Sequence, residues 1–453
     1  MVRAPRLTSA LEAAVGPGHV ITDPAVTSAY ARDWTGAYTG VALAVVRPAT
    51  TAETAAVVDA CASFGVALVP QGGNTGLVGG SVPGAEGGVV LSTTRMAALG
   101  DVDAAGAQVT VGAGAALEAL QAHVRPAGFE VPVDLAARGT ATIGGMVATN
   151  AGGVHVMRHG TMRRNVAGVE AVTGQGRVVS HLAGLDKDNT GYDLASLLAG
   201  SEGTLGVITT VRLRLVPVPA HRVTALLALP GLDAAVACVA ALRAGVDGVD
   251  AAEYFVRPGL DVVRSRFSLP DPFDRAHAAY LLVEAAGSRD PTDALASAIA
   301  ASPDVADAAV ATGSGQRREL WQLRDLHTEA MASLGTPRKF DVTVPVGRVP
   351  EFVARACALS EGAGATVHHW GHLGDGNVHL NVLNAGPGEL DGPLLALVAT
   401  MGGSISAEHG IGRLKRPWLH LSRSADEIAV FRAIKAALDP AGILNPGVLL
   451  PDA

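Results

Sequence analysis

The spacing of hydrophobic positions divides the chain into two parts of different character. Before Pro219, apolar segments of strand and helix length are interrupted by long glycine-rich stretches, chiefly 71–81 and 131–153. After Pro219, apolar strands and helices alternate more regularly. Elements that alternate in this way pack as a sheet covered by helices. For the second part we expect an α+β layer, one sheet with helices on one face, and Pro217 and Pro219 mark the boundary.

Local patterns place most of the individual elements. Helices are predicted over 8–15, 51–64, 232–243, 292–301, 316–331, 350–360 and 425–438. Strands are predicted over 41–47, 66–70, 168–173, 177–180, 223–229, 278–285, 305–311, 340–344 and 378–382. Thr51 is the expected N-cap of the second helix, because a threonine hydroxyl can accept a hydrogen bond from the first turn. Arg324 and Thr328 are four residues apart and are expected on one face of their helix.

The stretch 367–382 is rich in histidine and glycine. Its first half is predicted to turn, since glycine follows tight turns that other residues avoid. Its second half, 378–382, alternates polar and apolar positions and is predicted to be a strand. Side chains alternate between the two faces of a strand, so His379 and Asn381 share one face. His372 precedes this strand, and we expect it to fold over the same face.

A second polar stretch, 404–413, offers a carboxylate and an imidazole side by side, Glu408 and His409. Two neutral imidazoles, from His372 and His379, form with the Glu408 carboxylate a three-ligand set with open positions, as catalytic metals have. Spacing alone leaves this metal site and ordinary hydrogen-bonded histidines as equal alternatives. The ordinary role is expected for the other histidines singled out in this region, which are His368, His369 and His420.

Composition and charge narrow the classes of function. The chain has 453 residues, enough for two or three domains, and its formal net charge is −8. Basic blocks are absent from the sequence, which argues against general binding to nucleic acid or to anionic membranes. We expect no membrane span and no secretory signal. The three cysteines, Cys61, Cys238 and Cys357, are far apart and suggest buried thiols in a reducing compartment, so the cytoplasm is the expected location.

The glycine-rich stretches indicate close approach to a ligand or to another backbone. Loop 71–81 follows a predicted strand, and its N–H groups could surround phosphate oxygens; a flexible surface loop is the alternative. It is not a Walker loop, because no Gly-Lys-Ser/Thr follows. Residues 109–117 imitate a Rossmann fingerprint, but Leu117 occupies the place of the third glycine and we reject that interpretation. Stretch 131–153 has so few large side chains that an extended ligand or a second backbone is expected against it.

Six motifs occur in a fixed order along the chain. They are Pro70-Gln-Gly-Gly-Asn-Thr-Gly76, Ile143-Gly-Gly-Met-Val-Ala-Thr-Asn-Ala-Gly-Gly153, Gly200-Ser-Glu-Gly-Thr-Leu-Gly206, Gly371-His-Leu-Gly-Asp-Gly-Asn-Val-His379, Ala407-Glu-His-Gly410 and Leu444-Asn-Pro-Gly447. Together they resemble the FAD-linked D-2-hydroxyacid dehydrogenases of the vanillyl-alcohol-oxidase type, over nearly the whole chain. Within that family the D-2-hydroxyglutarate branch is the most similar, with the D-lactate and glycolate branches as neighbours.

The resemblance implies a two-part FAD-binding domain of the vanillyl-alcohol-oxidase type with an α+β substrate-binding cap domain. The FAD-binding domain is expected over 1–218, the cap domain over 219–415, and a C-terminal segment, 416–453, is expected to return to the FAD-binding domain. Family members that tether flavin covalently use a histidine in the first glycine loop, where this chain has Asn74, so non-covalent FAD is expected. The cofactor contacts implied are Gln71, Gly72, Gly73, Asn74, Thr75, Gly79, Ser81, Asp134, Thr140, Ile143, Gly144, Gly145, Asn150, Gly153, Gly160, Ile208 and Asn445.

The resemblance also implies roles for the polar residues of the second part. It places a divalent metal on His372, His379 and Glu408, and this nitrogen and oxygen ligand set makes zinc the first choice and manganese or iron the second. It makes His409 the catalytic base. The substrate contacts implied are Arg324, Thr328, Lys339 and Asn381.

The activity implied is oxidation of a D-2-hydroxy acid, first of all D-2-hydroxyglutarate, to the 2-oxo acid. The base would take the hydroxyl proton and flavin would take the hydride. Oxidation of D-lactate or glycolate is the alternative within the family; a metal-dependent hydrolase without flavin and an inactive flavin-binding protein are alternatives from other classes. The expected partners are the small acid and an electron acceptor, for which an electron-transfer flavoprotein is one option, and a homodimer is one option for assembly.

Overall fold

The structure is a computed structural model that describes residues 3–386 and 388–451. The described residues form two compact units. The first unit contains those of Met1–Gly153, His159–Val218 and Glu408–Ala453, and the second those of Val154–Arg158 and Pro219–Ala407. One division follows Val218, where the sequence placed a boundary, but the segment Val154–Arg158, which was expected in the FAD-binding domain, belongs to the second unit. Another division falls between Ala407 and Glu408, eight residues before the boundary that the sequence predicted at 415.

Helices and strands of the first unit are mostly short. The helices of this unit up to residue 218 are α1 (Arg3–Val15), α2 (Pro24–Tyr30), α3 (Thr51–Phe64), α4 (Leu117–Val124), α5 (Ile143–Thr149), α7 (Met162–Asn165) and α8 (Leu194–Leu198). Between α5 and α7 the chain forms α6 (Val156–His159), most of which belongs to the second unit. The strands are β1 (Val20–Ile21), β2 (Ala42–Val46), β3 (Leu68–Gln71), β4 (Gly88–Ser92), β5 (Leu99–Asp103), β6 (Gln108–Gly112), β7 (Phe129–Glu130), β8 (Val166–Thr173), β9 (Val178–His181), β10 (Gly206–Arg214) and β11 (Val216–Pro217).

Two sheets organise the first unit. One has four strands in the order β1-β2-β4-β3, with β2, β4 and β3 parallel; the other has five antiparallel strands in the order β5-β6-β10-β8-β9. Helices α1 and α3 pack Leu11 and Val57 against Leu91 of the first sheet. Helix α5 packs Ile143 against Val211 of the second. Each sheet thereby buries an apolar face, which fixes the loops at its edges.

The second unit is built on a single sheet. Its elements are β12 (His221–Leu229), α9 (Leu232–Gly245), β13 (Val249–Val256), α10 (Arg257–Phe267), β14 (Ala279–Gly287), α11 (Thr292–Ala300), β15 (Asp307–Ala311), α12 (Ser314–Asp325), α13 (His327–Ala332), β16 (Arg338–Thr343), α14 (Val349–Gly362), β17 (Thr366–His372), β18 (Asn377–Leu383) and α15 (Asp391–Thr400). The strand order is β15-β12-β14-β13-β17-β18-β16, antiparallel throughout. The last helix of the chain, α16 (Ala425–Leu438), belongs to the first unit.

Helices cover both faces of this sheet, so the expectation of helices on one face was wrong. Strands β13 and β14 are buried along nearly their whole length. Phe255 packs with Leu260 of α10 and Leu323 of α12 on one face, and α9 and α14 pack against the same sheet through other residues. The neighbouring Tyr254 points to the opposite face, where it lies near Cys357 of α14. Central strands buried on both sides require this double cover.

Several sequence-based boundaries are confirmed and others need correction. The structure confirms both predicted bounds of α3 and of α16, but the N-cap of α3 is Thr50, whose side chain accepts from the N–H of Glu53, and not Thr51. The predicted helix 316–331 is broken at Leu326 into α12 and α13. The predicted turn in the first half of 367–382 is largely strand, since β17 extends to His372.

Among the described residues, no helix combines the length and the apolar character needed to cross a membrane. Cys61 and Cys238 are buried free thiols, as expected, whereas Cys357 is only half-buried. Burial raises the pKa of the Cys61 thiol to about 12, so this thiol stays protonated and unreactive at neutral pH.

Candidate active site

Two imidazoles meet on one face of the seven-stranded sheet. The Nε2 atoms of His372 and His379 are 3.3 Å apart, and the two rings are nearly perpendicular, at 83°. The register of β17 and β18 places Trp370 opposite His379. His372 is two residues beyond Trp370, so its side chain projects from the same face as that of His379. The expectation of a shared face is confirmed, although His372 lies at the end of a strand and not on a turn.

A buried carboxylate lies behind each imidazole. The Nδ1 atom of His372 is 2.7 Å from Oε1 of Glu253, and Nδ1 of His379 is 3.5 Å from Oδ1 of Asp341. Asp341 is itself oriented by Asn377, whose Nδ2 donates to the same oxygen at 2.9 Å. An imidazole nitrogen that faces a carboxylate carries the ring proton, which leaves Nε2 as a lone-pair donor. Burial lowers the pKa of His379 to about 4, so that ring is neutral.

This pair of imidazoles fits a divalent cation. Two unprotonated ring nitrogens at 3.3 Å repel each other unless a cation accepts both lone pairs. Two Zn–N bonds of about 2.0–2.1 Å at a tetrahedral angle separate their nitrogens by about 3.3 Å. A carboxylate behind each ring is also the usual arrangement around metal-bound histidine. The remaining predicted ligand, Glu408, and the predicted base, His409, begin the last segment of the first unit, directly after Ala407 in the chain.

Arg324 reaches the same carboxylate that orients His372. Its Nε donates to Oε2 of Glu253 at 2.8 Å, and both side chains are almost completely buried. Burial by itself raises the pKa of the Glu253 carboxyl, but its interactions with His372 and Arg324 outweigh that effect and the pKa is lowered. Within the described part of the chain, Glu253 is the only hydrogen-bond acceptor of this guanidinium. Its two terminal nitrogens can therefore bind a carboxylate from outside the protein.

Lys339 and Asn381 lie side by side on β16 and β18, where they form a directly opposed pair. Lys339 is half-buried, and burial lowers the pKa of its ammonium. Asn381 is 3% exposed, and its Oδ1 is buried without a hydrogen-bond partner among the described residues. An orphaned buried acceptor of this kind points to a missing donor. Thr328 is different, since it is exposed on α13, beyond the break after Arg324, so these two residues do not share one continuous helix.

Sequence reasoning missed two residues of this site. Glu253 lies on β13, a strand that was not predicted, and Asp341 lies on the predicted strand β16 but was assigned no role. A usable signal for Glu253 was present, because a carboxylate in the middle of the apolar run Ala-Ala-Glu-Tyr-Phe-Val is rarely buried unless it is paired. Its partners, however, come from distant parts of the chain and could not be named from the sequence.

A second group of potential ligands in the same unit has a different character. Atoms of His155, Asp250 and Glu284 lie within 4.8 Å of one another. Arg158 pairs with Asp250, and Arg222 pairs with Glu284. These guanidinium ions already neutralise both carboxylates. Burial raises the pKa of Glu284, but the hydrogen bond with His155 and the charge of Arg222 outweigh that effect and bring the pKa to about 2. The group is therefore an ion network that attaches segment 154–158 to the sheet, and a cation would have to displace two arginines from it.

The predicted FAD-binding stretches approach each other within the first unit. A Cβ atom added to Gly72 would lie 2.1 Å from Oγ1 of Thr142, and one added to Gly73 would lie 1.8 Å from the carbonyl oxygen of Thr140. Only glycine permits this contact between the loop and the segment before α5. Within the described residues, the backbone N–H groups of 72–81 donate no hydrogen bond. A loop with this many unused donors fits the phosphate groups of a dinucleotide.

Polar side chains of loop 71–81 stabilise its conformation through hydrogen bonds. The Nε2 atom of Gln71 donates to the carbonyl oxygens of Tyr30 and Ser81, at 2.9 and 2.8 Å. Asn74 has φ +52°, donates to the carbonyl oxygen of Arg32 at 2.9 Å and accepts from the hydroxyl of Ser81 at 2.7 Å. These side chains hold the loop open, which leaves its N–H groups available to a ligand.

The other predicted cofactor contacts lie around this loop or support its neighbours. Asp134 accepts from Gln121 and pairs with Arg138, and its carbonyl oxygen would lie 1.9 Å from a Cβ on Gly153. Asn445 connects distant segments, since its Nδ2 donates to the carbonyl oxygens of Gly80 and Glu202, both at 2.7 Å. Thr75 and Gly79 lie in the loop, Gly144 and Gly145 in α5, Asn150 at the end of α5 with φ +51°, Gly160 after α6 with φ +73°, and Ile208 on β10.

Comparison with known families agrees with this division of the chain. Residues 42–181 match the family described as FAD binding domain. Residues 218–449 match the family of FAD linked oxidases, C-terminal domain. The p-cresol methylhydroxylase structure superimposes with a TM-score of 0.78 at 15% identity, over 100% of this chain and 98% of that one. A 4-ethylphenol oxidase from Gulosibacter chungangensis gives 0.77 at 18% identity, over 99% and 98%. Fold and domains together define an FAD-dependent oxidoreductase of the vanillyl-alcohol-oxidase type.

Curated relatives define the family more closely. A D-2-hydroxyglutarate dehydrogenase from Xanthomonas citri is 40% identical, over 98% of this chain and 97% of its own length. The mitochondrial D-2-hydroxyglutarate dehydrogenase of Bos taurus is 39% identical, over 98% and 83%. The chain belongs to the FAD-linked D-2-hydroxyacid dehydrogenases.

Proposed function

We propose that this chain oxidises D-2-hydroxyglutarate to 2-oxoglutarate with non-covalent FAD and a divalent cation, zinc being the first choice. The observation that carries the proposal is the polar face of the second unit, where the carboxylate-backed pair His372 and His379 lies on the same sheet face as Lys339 and Asn381. The relatives from Xanthomonas citri and Bos taurus, which are named for this substrate, support the same choice.

The proposed roles follow from the chemistry of each side chain. When bound, FAD accepts a hydride and a divalent cation makes a coordinated hydroxyl more acidic. His372, His379 and Glu408 would hold the cation. Ala407, the residue before Glu408, is anchored beside this site by its N–H, which donates to the carbonyl oxygen of Asp341 at 3.3 Å. His409 would take the hydroxyl proton, since a neutral imidazole is a suitable base near pH 7.

The spacing along β18 favours a dicarboxylate. His379 and Asn381 are two residues apart on one face, about 7 Å along an antiparallel strand. Lys339 lies directly opposite Asn381. A five-carbon dicarboxylate bound near His379 by its hydroxyl end is long enough to bring its second carboxylate to this pair, whereas lactate is not. A buried second carboxylate without such a cation would be costly, and the terminal nitrogens of Arg324 offer a further positive group.

Anaerobic reduction of the bound flavin tests the activity. The purified protein is expected to be yellow and to bleach when D-2-hydroxyglutarate is added, more slowly with D-lactate or glycolate, and not with L-2-hydroxyglutarate. Removing metal with a chelator is expected to prevent bleaching while the FAD stays bound, because the predicted ligands lie outside the glycine-rich loop. A colourless protein that takes up no FAD, or full bleaching after metal removal, would contradict the corresponding part of the proposal.

Replacing Lys339 with methionine tests the choice of substrate. Hydrogen bonds to charged groups contribute about 1.5–3 kcal/mol, so kcat/KM for D-2-hydroxyglutarate is expected to fall about 10- to 100-fold. D-lactate has no second carboxylate, and its kcat/KM is expected to change much less. Arg338→Met is the matched control, since Arg338 is the neighbouring cation on the same strand and pairs with Asp391. Equal losses on both acids in Lys339→Met would remove the main support for a dicarboxylate substrate.

A further inference from the structure

The carboxylate of Glu202 holds the backbone just after the predicted base. One of its oxygens accepts from the N–H of Ile411 at 2.8 Å, and the other accepts from the N–H of Gly412 at 2.7 Å. These residues follow His409 by two and three positions. Gly410 passes so close that an added Cβ would lie 3.0 Å from Oε1 of Glu202. The buried ammonium of Lys415 supplies the opposite charge.

The backbone of Glu202 is itself held in an uncommon conformation. Its φ is +51°, a region that glycine and asparagine enter far more readily than glutamate. Its N–H donates to the carbonyl oxygen of Ala148 at 2.7 Å, and its carbonyl oxygen accepts from Asn445 at 2.7 Å. A backbone conformation of this kind is strained and persists only where the surroundings impose it. A glutamate at a position that favours glycine therefore indicates that its side chain is needed.

The same network reaches the glycine-rich loop. Asn445, which binds the carbonyl oxygen of Glu202, also donates to that of Gly80 at 2.7 Å. The N–H groups of Arg413 and Leu414 donate to the carbonyl oxygen of Val78, at 2.8 and 3.2 Å. The segment that follows His409 is thus attached to the predicted FAD loop directly, by backbone hydrogen bonds to Val78, and indirectly, through Glu202 and Asn445.

We propose that Glu202 is a positioning residue for His409. Its carboxylate fixes segment 410–412 against the loop that holds the cofactor, and the imidazole that accepts the substrate proton is thereby kept in one place relative to the flavin. The inference rests on the proposed function, in which His409 is the base. Glu202 contacts neither substrate nor cofactor in this role, and it acts only through the backbone after His409.

A double-mutant cycle separates positioning from a general structural role. Glu202→Gln keeps the size of the side chain but replaces one accepting oxygen with an NH₂ group. In the otherwise unchanged holoenzyme it is expected to slow anaerobic flavin reduction about 10- to 100-fold, the usual cost of losing a group that orients a functional residue. In the His409→Asn background it is expected to cost less than about twofold, because coupled residues are not additive. The same cost in both backgrounds would overturn the proposal.

Glu170→Gln is the matched control for this cycle. Glu170 is a half-buried carboxylate of the same unit that accepts from Thr51 and Ser180 and lies apart from segment 410–412. Its replacement is expected to have the same small effect in both backgrounds. Glu170→Gln could instead slow flavin reduction in the wild-type background and have no effect in the His409→Asn background. That result would show that the double-mutant cycle does not report positioning, and it would overturn the proposal.

Hydrogen exchange provides a readout that needs no substrate. The amides of Ile411 and Gly412 are expected to exchange faster in Glu202→Gln than in the wild type or in Glu170→Gln, with FAD absorbance retained. If Glu202→Gln does not retain FAD, Glu202→Asp keeps the charge with a shorter reach and is expected to show intermediate exchange. Unchanged exchange at both amides would overturn the proposal. If no hydroxy acid reduces the wild-type flavin, the proposed function fails while this measurement still tests the attachment of segment 410–412.

Discussion

Replacing His409 with asparagine is expected to slow reduction of the flavin by D-2-hydroxyglutarate about 10²–10⁴-fold, the usual contribution of a general base. Asparagine keeps a polar side chain of similar reach but cannot take a proton at neutral pH. Substrate is therefore expected to bind with nearly unchanged affinity. Stopped-flow absorbance of the flavin under anaerobic conditions measures the rate and, from its dependence on concentration, the binding constant.

His420→Asn is the control for this experiment. His420 is an exposed histidine of the same unit, and its Nδ1 lies 3.0 Å from the carbonyl oxygen of Pro417. Its replacement is expected to leave the rate unchanged. A rate in His409→Asn equal to that of the wild type would assign the proton to another acceptor and would remove His409 from the proposed mechanism.

Replacing Glu253 with glutamine is expected to have two separate effects. Arg324 would lose the charge that pairs with it in the interior, and breaking a buried ion pair by removing one partner costs about 3–5 kcal/mol of folding free energy. His372 would lose the carboxylate behind Nδ1, and such a loss lowers metal affinity about 10- to 100-fold. Denaturant unfolding measures the first effect, and titration with a competing chelator measures the second.

Glu284→Gln separates the two effects. Glu284 is also buried and paired with an arginine of the same sheet, Arg222, but it belongs to the ion network around segment 154–158. It is expected to lower stability in a similar way and to leave metal affinity unchanged. If both variants lose metal to the same extent, the weaker binding in Glu253→Gln reflects general destabilisation, and Glu253 has no particular role in orienting His372.

Some of the fold could be predicted because its signals are local. Helix α16 has the predicted bounds. The signal for its first turn is contained in four consecutive residues, since Ser424 and Glu427 form a reciprocal capping box. Helix α3 is equally local, although the cap proved to be Thr50. The break between α12 and α13 was not visible, because the sequence through Leu326 contains neither glycine nor proline and the helical pattern continues across it.

That helices cover both faces of the seven-stranded sheet was not predicted, and the reason is different. Strand β13 is buried on both faces and lacks the alternation that identifies a half-buried strand, so it was missed entirely. Only the complete strand order shows that the centre of the sheet must be covered on both sides.

The sequence by itself determined the family, the glycine-rich loop that we predict to bind FAD, and the pair His372 and His379, because each of these depends on residues close together in the chain. Only the tertiary structure decided which distant residues form hydrogen bonds with the residues around the candidate site. Glu253 meets His372 across 119 positions, and Glu202 meets Gly412 across 210. Hydrogen bonds of this kind depend on strand pairing and on the return of the C-terminal segment. The periodicity of a sequence records which face a side chain occupies, but not which distant residue lies opposite it.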